Sequence, residues 1–534
     1  MKKIYISILG SALLLLSSCV KDLDQYPHIE ATSANVYTSV DSYRSVLAKL
    51  YASYVIAGQV KGGGDKDLSS NNGYDYLRSY FNLQECGTDE VACTWLSGDK
   101  VANLSYLSWD ANDSWVSDMY YRIYYTIAIC NEFLRNATDD KISKFSATEQ
   151  ATLKEFRNEA RFLRALAYSH ALDFYGNIPF VTEASSVGAF IPPVYTRAKA
   201  FEFVESELKA IEDALPSRTN VQYGRASQAA AWTLLAKLYL NAEVYTGTKR
   251  YDDCAKYCDK VLGAGYSLEP TYSKLFNADN HKRTNEIIFS FAVDATHTVS
   301  WGATTYIVCG AITNSPTDKQ QAAGYSTSKY GCNNGWGMFR SRGELPALFG
   351  DVKAGVADKR AMFFSYEQSQ YLDNLDNQTQ GYFVEKWTNL KDDGQAASNT
   401  ASDGVSTDFP MFRLADVYLM YAEAALRGAS TANRSQALNY VNLLRDRAYG
   451  STAGRISDAD LTLNFILDER GRELYWECTR RTDLVRFGKF TSGSYIWQWK
   501  GGVKDGKAVD EKYNIYPIPS AELTANPNLK NEKY

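Results

Sequence analysis

The sequence from Ser227 to Leu262, SQAAAWTLLAKLYLNAEVYTGTKRYDDCAKYCDKVL, decides the fold class of this chain. Ser227 is a residue type that caps helices, and the apolar residues after it recur every three or four positions as far as Tyr239. A second helix with the same period is predicted from Tyr251 to Leu262. Small alanines that face large aromatic residues across such a turn are typical of a tetratricopeptide-like helical pair. One pair cannot cover its own apolar faces, so the pattern predicts that further helices pack around it.

Further amphipathic segments lie on both sides of this pair. A second pair is predicted from Arg413 to Leu426 and from Asn433 to Ala448, and another helix from Asp460 to Cys478. Four helices are predicted before the first pair: Asp41 to Ala57, Ser114 to Leu134, Glu149 to Tyr175 and Phe201 to Leu215. Gly176 and Pro216 follow the last two and are residue types that end helices. The predicted fold class is therefore mostly α, with tetratricopeptide-like helical pairs, a loop-rich lobe and a few short strands.

The segment between the two pairs has a different pattern. Apolar residues alternate from Glu286 to Asp294, which predicts a strand. From Asp294 to Asp408 the chain is rich in Gly, Asn, Ser, Thr and Asp, which predicts irregular backbone. This stretch also contains five aromatic residues that disorder would not favour: Trp301, Tyr306, Tyr325, Tyr330 and Trp336. We therefore expect an ordered binding region here.

Composition excludes several classes of function. The formal net charge of -5, with no basic run, offers nucleic acid no electrostatic surface. The four His are scattered singly and the nine Cys lack zinc-site spacing, so no metal and no cofactor are predicted, and most Cys are expected to be small buried residues. Asp65 and Asp67, in the glycine-rich loop from Gly62 to Gly73, hint at a calcium loop. The Gly and the terminal Glu of that motif are missing, so calcium is only a minor alternative.

The N-terminus has the features of a bacterial secretion signal. The basic start Met1-Lys2-Lys3 precedes an apolar run from Ile4 to Leu16 that is too short to cross a bilayer. Leu16-Ser17-Ser18-Cys19 resembles a lipobox, in which the thiol of Cys19 receives a lipid such as palmitate after cleavage. Residues 1–18 are therefore predicted to be a signal peptide, and a lipid on Cys19 would tether the mature chain to a membrane.

A charged motif near the C-terminus looks catalytic at first. Its carboxylates are Glu469, Glu473, Glu477 and Asp483, and they are interspersed with Arg470, Arg472, Arg480 and Arg481. Carboxylates matched by guanidinium groups are held ionised and make poor general acids. The motif therefore predicts a set of ion pairs, and no catalytic residue is assigned.

Several longer motifs resemble those of one protein family. They are Glu159-Ala160-Arg161-Phe162-Leu163-Arg164-Ala165 with Asp173-Phe174-Tyr175-Gly176-Asn177-Ile178-Pro179-Phe180, Asp416 to Ala424, Glu469 to Leu474, Arg480 to Gly488, and Tyr516-Pro517-Ile518-Pro519 with Asn526-Pro527-Asn528-Leu529. Together they resemble the SusD/RagB-type outer-membrane lipoproteins of the Bacteroidetes, over nearly the whole mature chain.

The resemblance implies a single domain over residues 19–534. Its helical scaffold would cover about 35–290 and 409–534, and its loop-rich ligand lobe about 60–112 and 294–408. Family members are lipid-anchored in the outer membrane and face the cell exterior. They capture polysaccharide or oligosaccharide for a SusC-like TonB-dependent transporter and are not enzymes.

The same resemblance implies a ligand site. Trp95, Trp301 and Trp336 align with an aromatic arc that stacks on sugar rings in starch-binding members, and Arg78 aligns with a polar sugar contact. Tyr330 lies in the same aromatic-rich stretch and is grouped with them. Gly98 and Ser70 depart from the family pattern, at positions where an Asn and an acidic residue would contact sugar.

Two other functions stay open from sequence. A surface glycoside hydrolase would need two carboxylates about 5 to 10 Å apart in a cleft, which sequence does not locate. A protein-interaction scaffold with no glycan site would use the helical pairs but would leave the aromatic loops without a role.

Overall fold

The computed structural model of the chain describes residues 36–58, 67–68, 72–397 and 404–534. The α-helices within these ranges are α1 Val40–Ala52, α2 Tyr76–Glu85, α3 Ala102–Tyr106, α4 Ser114–Asn136, α5 Asp139–Ile142, α6 Ala147–Tyr175, α7 Arg197–Ile211, α8 Gln228–Leu240, α9 Ala242–Thr246, α10 Tyr251–Gly263, α11 Ala303–Ala311, α12 Asp318–Ala322, α13 Glu344–Ala347, α14 Leu414–Leu426, α15 Arg434–Tyr449, α16 Leu463–Leu474, α17 Arg480–Arg486 and α18 Ser520–Ala525. The strands are β1 Val91–Cys93, β2 Ile178–Pro179, β3 Val194–Tyr195, β4 Ile287–Phe291, β5 Phe339–Ser341, β6 Phe363–Phe364, β7 Phe383–Val384 and β8 Phe409–Arg413.

Helices α8 and α10 form the predicted pair. The Ser227 hydroxyl accepts the backbone N–H of Ala230, which caps α8. The Tyr239 and Tyr257 rings meet between the two helices with centroids 5.5 Å apart. Helix α14 packs against α10 and also against α15, so the second predicted pair stacks on the first. These contacts confirm the mostly helical fold class.

The longest helix, α6, has 29 residues and spans about 43 Å at 1.5 Å per residue. Ser146 and Glu149 form a capping box at its start. It ends at Gly176, whose φ is 70°, and a Cβ there would lie 2.5 Å from Ile515. Helix α6 packs against α4 and α7, so it joins the N-terminal helices to the pairs.

Some predicted boundaries were wrong. Helix α7 begins at Arg197 because Thr196 caps it, and it ends at Ile211 rather than Leu215. Helix α16 covers Leu463–Leu474, whereas the pattern extended it to Cys478. Trp476 and Cys478 have φ of 61° and 59°, a backbone conformation that ends an α-helix.

The strands are short and pair two by two. The predicted strand is confirmed as β4, and it pairs antiparallel with β8, which leads directly into α14. Strand β1 pairs with β5, so residues 91–93 lie beside residues 339–341. The predicted irregular stretch is wrong at Ala303–Ala311, which is helical because its first N–H group finds a distant carboxylate, Asp75.

The cysteines also match their predicted character. All eight Cys within the described ranges are buried and none is in a disulfide. This confirms their role as small core residues. No helix in the described part of the chain has both the length and the apolar content needed to span a bilayer.

The charged C-terminal motif forms buried ion pairs, as predicted. Glu473 lies 3.0 Å from Arg360 and 2.6 Å from Arg413, and all three side chains are at most 1% exposed. Glu469 also pairs with Arg360, at 2.9 Å, and with Arg445, at 3.0 Å. Burial alone would raise the pKa of Glu469, but the guanidinium groups around it hold that pKa at about 2. Such carboxylates remain ionised and do not supply protons near neutral pH.

These pairs predict a defined loss of stability in acid. The folded-state pKa of Glu469 lies below its ordinary value of 4.5, so its stabilisation is present above pH 4.5 and is lost as the pH falls towards 2. We expect Glu469→Gln to be less stable than the wild type at pH 7, with a difference that shrinks between pH 4.5 and 2. Urea unfolding midpoints of both proteins across this range measure the difference. A difference that stays constant with pH would contradict the assignment of the pKa to these ion pairs.

Candidate functional site

Two indoles stand out by their exposure. All ten Trp lie in the described ranges, and Trp95 and Trp301 are 38% and 50% exposed, whereas five others are at most 1% exposed. Trp336 is half-buried. Since an exposed indole loses the gain of burial, an exposed pair in one region indicates a contact surface.

Trp301 sits on a short loop that Asp75 holds in place. The Ser300 hydroxyl donates to Asp75 Oδ2 at 2.9 Å, and the Ala303 N–H lies 3.0 Å from both carboxylate oxygens. Asp75 also accepts the N–H of Arg78 at 3.0 Å, so one carboxylate caps α2 and the start of α11. Burial raises the pKa of Asp75, so the carboxylate depends on these donors to stay ionised.

Gly302 is required by this arrangement. A Cβ at Gly302 would lie 1.5 Å from Asp75 Oδ2, which is far inside contact distance. The glycine therefore lets the backbone of the Trp301 loop approach the Asp75 carboxylate closely.

Arg78 contacts the backbone of Trp301. Its Nη1 donates to the Trp301 carbonyl at 2.6 Å, and its Nη2 pairs with Asp99. The guanidinium carbon is 3.4 Å from the ring centroid of Tyr74 and 4.0 Å from that of Tyr306. The cation is thus held between two aromatic faces and a carboxylate.

Asp99 links the Trp95 turn to Arg78 and Tyr306 through its backbone and its carboxylate. The Asp99 N–H donates to the Trp95 carbonyl at 2.9 Å, which closes the turn that carries Trp95. Asp99 Oδ2 accepts the Tyr306 hydroxyl at 2.6 Å. Burial and then Asp99 raise the pKa of Tyr306 well above its usual value, so this hydroxyl stays protonated and donates.

Trp336 joins the same cluster from the other side of Tyr306. Its ring centroid is 6.3 Å from that of Tyr306, and its backbone N–H donates to the Cys309 carbonyl at 2.8 Å. We call Arg78, Asp99 and Tyr306 the Arg78–Asp99–Tyr306 network. This network contacts the backbone carbonyls of Trp95 and Trp301 and packs against the ring of Trp336, so the structure brings all three predicted residues to one region.

Comparison with known proteins gives the family. The profile described as "SusD family" matches residues 272–534, and one described as "Starch-binding associating with outer membrane" matches residues 77–240. The starch-binding protein SusD of Bacteroides thetaiotaomicron is 32% identical over the whole of both chains. The chain belongs to the SusD family.

Other family members are more distant in sequence but similar in fold. The SusD-like protein P25 of Formosa agariphila is 25% identical and covers 96% of this chain and 95% of its own. A surface glycan-binding protein A from Bacteroides thetaiotaomicron, solved in complex with laminarihexaose, superposes with a TM-score of 0.69 at 18% identity. That superposition covers 93% of this chain and 100% of the other. The SusD-like fold is therefore shown for this chain.

Two of the predicted ligand contacts of this SusD family member are buried in the structure. Arg78 is 4% exposed, because the rings of Tyr74 and Tyr306 cover it and Asp99 neutralises it. Tyr330 is 2% exposed, and its hydroxyl donates to Glu385 at 2.7 Å. Neither side chain faces solvent. Arg78 donates to the Trp301 carbonyl and so helps to hold the loop that carries this indole.

The remaining predicted positions are Gly98, Cys19, Ser70 and the two acids of the calcium hypothesis. Gly98 is exposed, and a Cβ there would meet nothing within 4 Å. Cys19, Asp65 and Ser70 lie outside the described residues. Asp67 pairs with Arg122 at 2.7 Å and with Lys49 at 3.5 Å, so two cations already neutralise one of the two acids of the calcium hypothesis.

Sequence reasoning missed the residues that join the site together. Asp75 and Asp99 were not singled out, and Tyr306 was named only as one aromatic residue of a region. Their partners are far away in sequence: the Arg78 bond to Trp301 spans 223 positions and the Tyr306 bond to Asp99 spans 207. A local pattern contains no signal for such pairs. The position of Asp75 immediately before α2 was the one available cue, since Asp is a preferred helix cap.

Proposed function

We propose that this protein is a cell-surface glycan-binding protein that captures polysaccharide or oligosaccharide through Trp95, Trp301 and Trp336. The observation that carries the proposal is that one buried polar network holds the backbone of Trp95 and Trp301 and packs against the Trp336 ring, while the Trp95 and Trp301 indoles are exposed. A relative over its full length is named for starch binding, and a protein of the same fold was solved with laminarihexaose. Both names support a carbohydrate as the ligand class.

Indole rings suit this ligand because of the shape of a sugar. A pyranose has an apolar C–H face that a flat ring covers, while its hydroxyl rim stays hydrated or meets polar side chains. At about 25 cal/mol per Å² of covered apolar area, each ring contributes roughly 1 to 2 kcal/mol. Three rings give roughly 3 to 6 kcal/mol before the ordering costs, which limits the affinity from stacking to about tens of micromolar at best and millimolar more generally, and this suits capture and release.

The remaining parts of the proposal concern location and delivery. A lipid on Cys19 would anchor the chain to the outer membrane, facing the exterior, and a SusC-like TonB-dependent transporter would receive the glycan for import. The lipobox and the family support these steps. The two carboxylates that hold the loops of Trp301 and Trp95, Asp75 and Asp99, are buried and hydrogen-bonded, which favours binding over hydrolysis.

Affinity electrophoresis tests the proposal. The lipid-free protein is run in native gels that contain amylopectin, laminarin or no glycan, and the same glycans are assayed for released reducing sugar. We expect retardation by at least one polysaccharide and no release of reducing sugar. Release would indicate a glycoside hydrolase, and unchanged mobility in both glycans and in a wider glycan array would indicate a protein scaffold.

A further inference from the structure

A second group of aromatic rings lies in the same lobe. Tyr371 is 51% exposed, and Tyr106 and Trp499 are half-buried. The Trp499 indole N–H donates to the Leu372 carbonyl at 3.0 Å, one residue from Tyr371. The Tyr106 and Trp499 ring centroids are 6.3 Å apart. We call Tyr106, Tyr371 and Trp499 the second aromatic patch.

The backbone holds the second aromatic patch in a fixed and strained position. Trp499 has a φ of 68°, in the left-handed region that favours glycine, which costs of order 1 kcal/mol or more. The buried Lys500 Nζ donates to the carbonyls of Lys489, Ser492 and Tyr495 at 2.7 to 3.2 Å, which fixes the loop. An aromatic ring kept partly exposed at a strained position is a reason to look for a ligand there.

A polar segment connects this patch to the first site. At one end, the Gln378 side-chain amide oxygen lies beside Gly337, the residue after Trp336. It is 3.5 Å from the point where a Cβ on Gly337 would lie. At the other end, Leu372 accepts the Trp499 N–H. Between them Asp376 lies close enough to Tyr106 that, after burial, it is the next cause of the raised pKa of that tyrosine. The segment from Leu372 to Gln378 spans at most about 20 Å when extended.

The exposed side chains of this segment are of the kind that binds hydroxyl groups. Asp373, Asn374, Asp376 and Gln378 are exposed, while Leu372 and Leu375 are buried and fix the segment. Carboxylates and amides accept or donate hydrogen bonds with sugar hydroxyls, and aromatic rings cover the C–H faces. The path from Trp336 to Tyr106 therefore alternates apolar rings with polar groups, as a carbohydrate chain does.

We infer that the glycan site continues from Trp336 along Gln378 and Asp376 to Tyr106, Tyr371 and Trp499, so that the protein selects long polysaccharide chains over short oligosaccharides. The inference rests on the proposed function, because it extends the same site. Ile496 and Val503, 36% and 40% exposed on the Trp499 loop, give a protein partner as the competing occupant.

The test compares long and short glycans of the same linkage. Tyr106→Ala with Tyr371→Ala is measured against amylopectin and maltotriose, and against laminarin and laminaritriose, by affinity electrophoresis and calorimetry. We expect the affinity for the polysaccharide to fall about tenfold and the trisaccharide affinity to change less than twofold. Tyr366→Ala is the matched control, because Tyr366 is 49% exposed and lies outside the second aromatic patch.

The possible results separate a failure of the extended site from a failure of the proposed glycan-binding function. If the wild type binds and the double variant keeps the same ratio of long-chain to short-chain affinity, the extension is wrong and the patch belongs to a protein partner. An equal loss for both chain lengths would also overturn it, since the patch would then act on the first site. If the wild type binds neither these four glycans nor any glycan of the wider array, the proposed function and the extension both fail.

Discussion

Trp95→Ala combined with Trp301→Ala is expected to abolish the retardation of the protein by polysaccharide. Two rings that each contribute roughly 1 to 2 kcal/mol correspond to a 30- to 900-fold weaker affinity when both are removed. The two residues are 38% and 50% exposed, so the melting temperature should stay near that of the wild type. Affinity electrophoresis and thermal unfolding of the same preparation measure both effects. Trp336 is left intact because it is half-buried against Tyr306, and its removal would mix binding with stability.

Phe190→Ala is the matched control for this experiment. Phe190 is 39% exposed, almost the same as Trp95, and lies on the connection between β2 and β3, away from the Arg78–Asp99–Tyr306 network. We expect it to keep wild-type retardation. A double variant that binds as well as the control would remove the indoles from the site. A large fall in the melting temperature of the double variant would show that the two indoles stabilise the fold as core residues.

The second large effect is expected from Arg413→Met. Arg413 is 1% exposed and pairs with Glu286 at 3.1 Å, Glu473 at 2.6 Å and Glu477 at 2.6 Å. Removing this guanidinium leaves three buried carboxylates with only their remaining partners, Arg360, Arg447 and Lys386, and breaking a buried pair typically costs about 3 to 5 kcal/mol. We expect a large fall in the urea midpoint and in the melting temperature at pH 7.

Arg455→Met provides the comparison. Arg455 forms a bidentate pair with Asp446, but its side chain is 50% exposed, so solvent screens the pair and its loss should lower the stability far less. Both variants remove one arginine and add one methionine, so they differ mainly in burial. Equal destabilisation by the two variants would show that the buried network contributes no more than a surface pair.

The regular helices were predictable because each depends on residues close in sequence. The three- and four-residue spacing of apolar side chains, with Ser227 as the cap of α8, located α6 and α8 to within two residues. The ion pairs at Glu469 and Glu473 were also predictable as a class, from equal numbers of opposite charges. The partners themselves were not, since Arg360 and Arg413 lie 113 and 60 positions away from Glu473.

Helix α11 was missed for a related reason. The segment Ala303–Ala311 lies in a glycine- and asparagine-rich region and has no local cap, since Gly302 supplies no side chain. The carboxylate of Asp75, 228 positions earlier, accepts its first N–H group. Propensity favoured a loop, and a single long-range hydrogen-bonding group changed the outcome.

The amino-acid sequence by itself determined the helical scaffold and the family, because periodicity and motif identity are local properties. The assignment of Trp95, Trp301 and Trp336 as ligand contacts stays a prediction. Which side chains face solvent was decided only by the tertiary structure. Arg78 and Tyr330 have the chemistry of sugar contacts, yet Asp99 and Glu385 take up their polar groups and neighbouring rings cover them. Burial depends on contacts between segments that are hundreds of residues apart, and the order of residues along the chain does not contain those contacts.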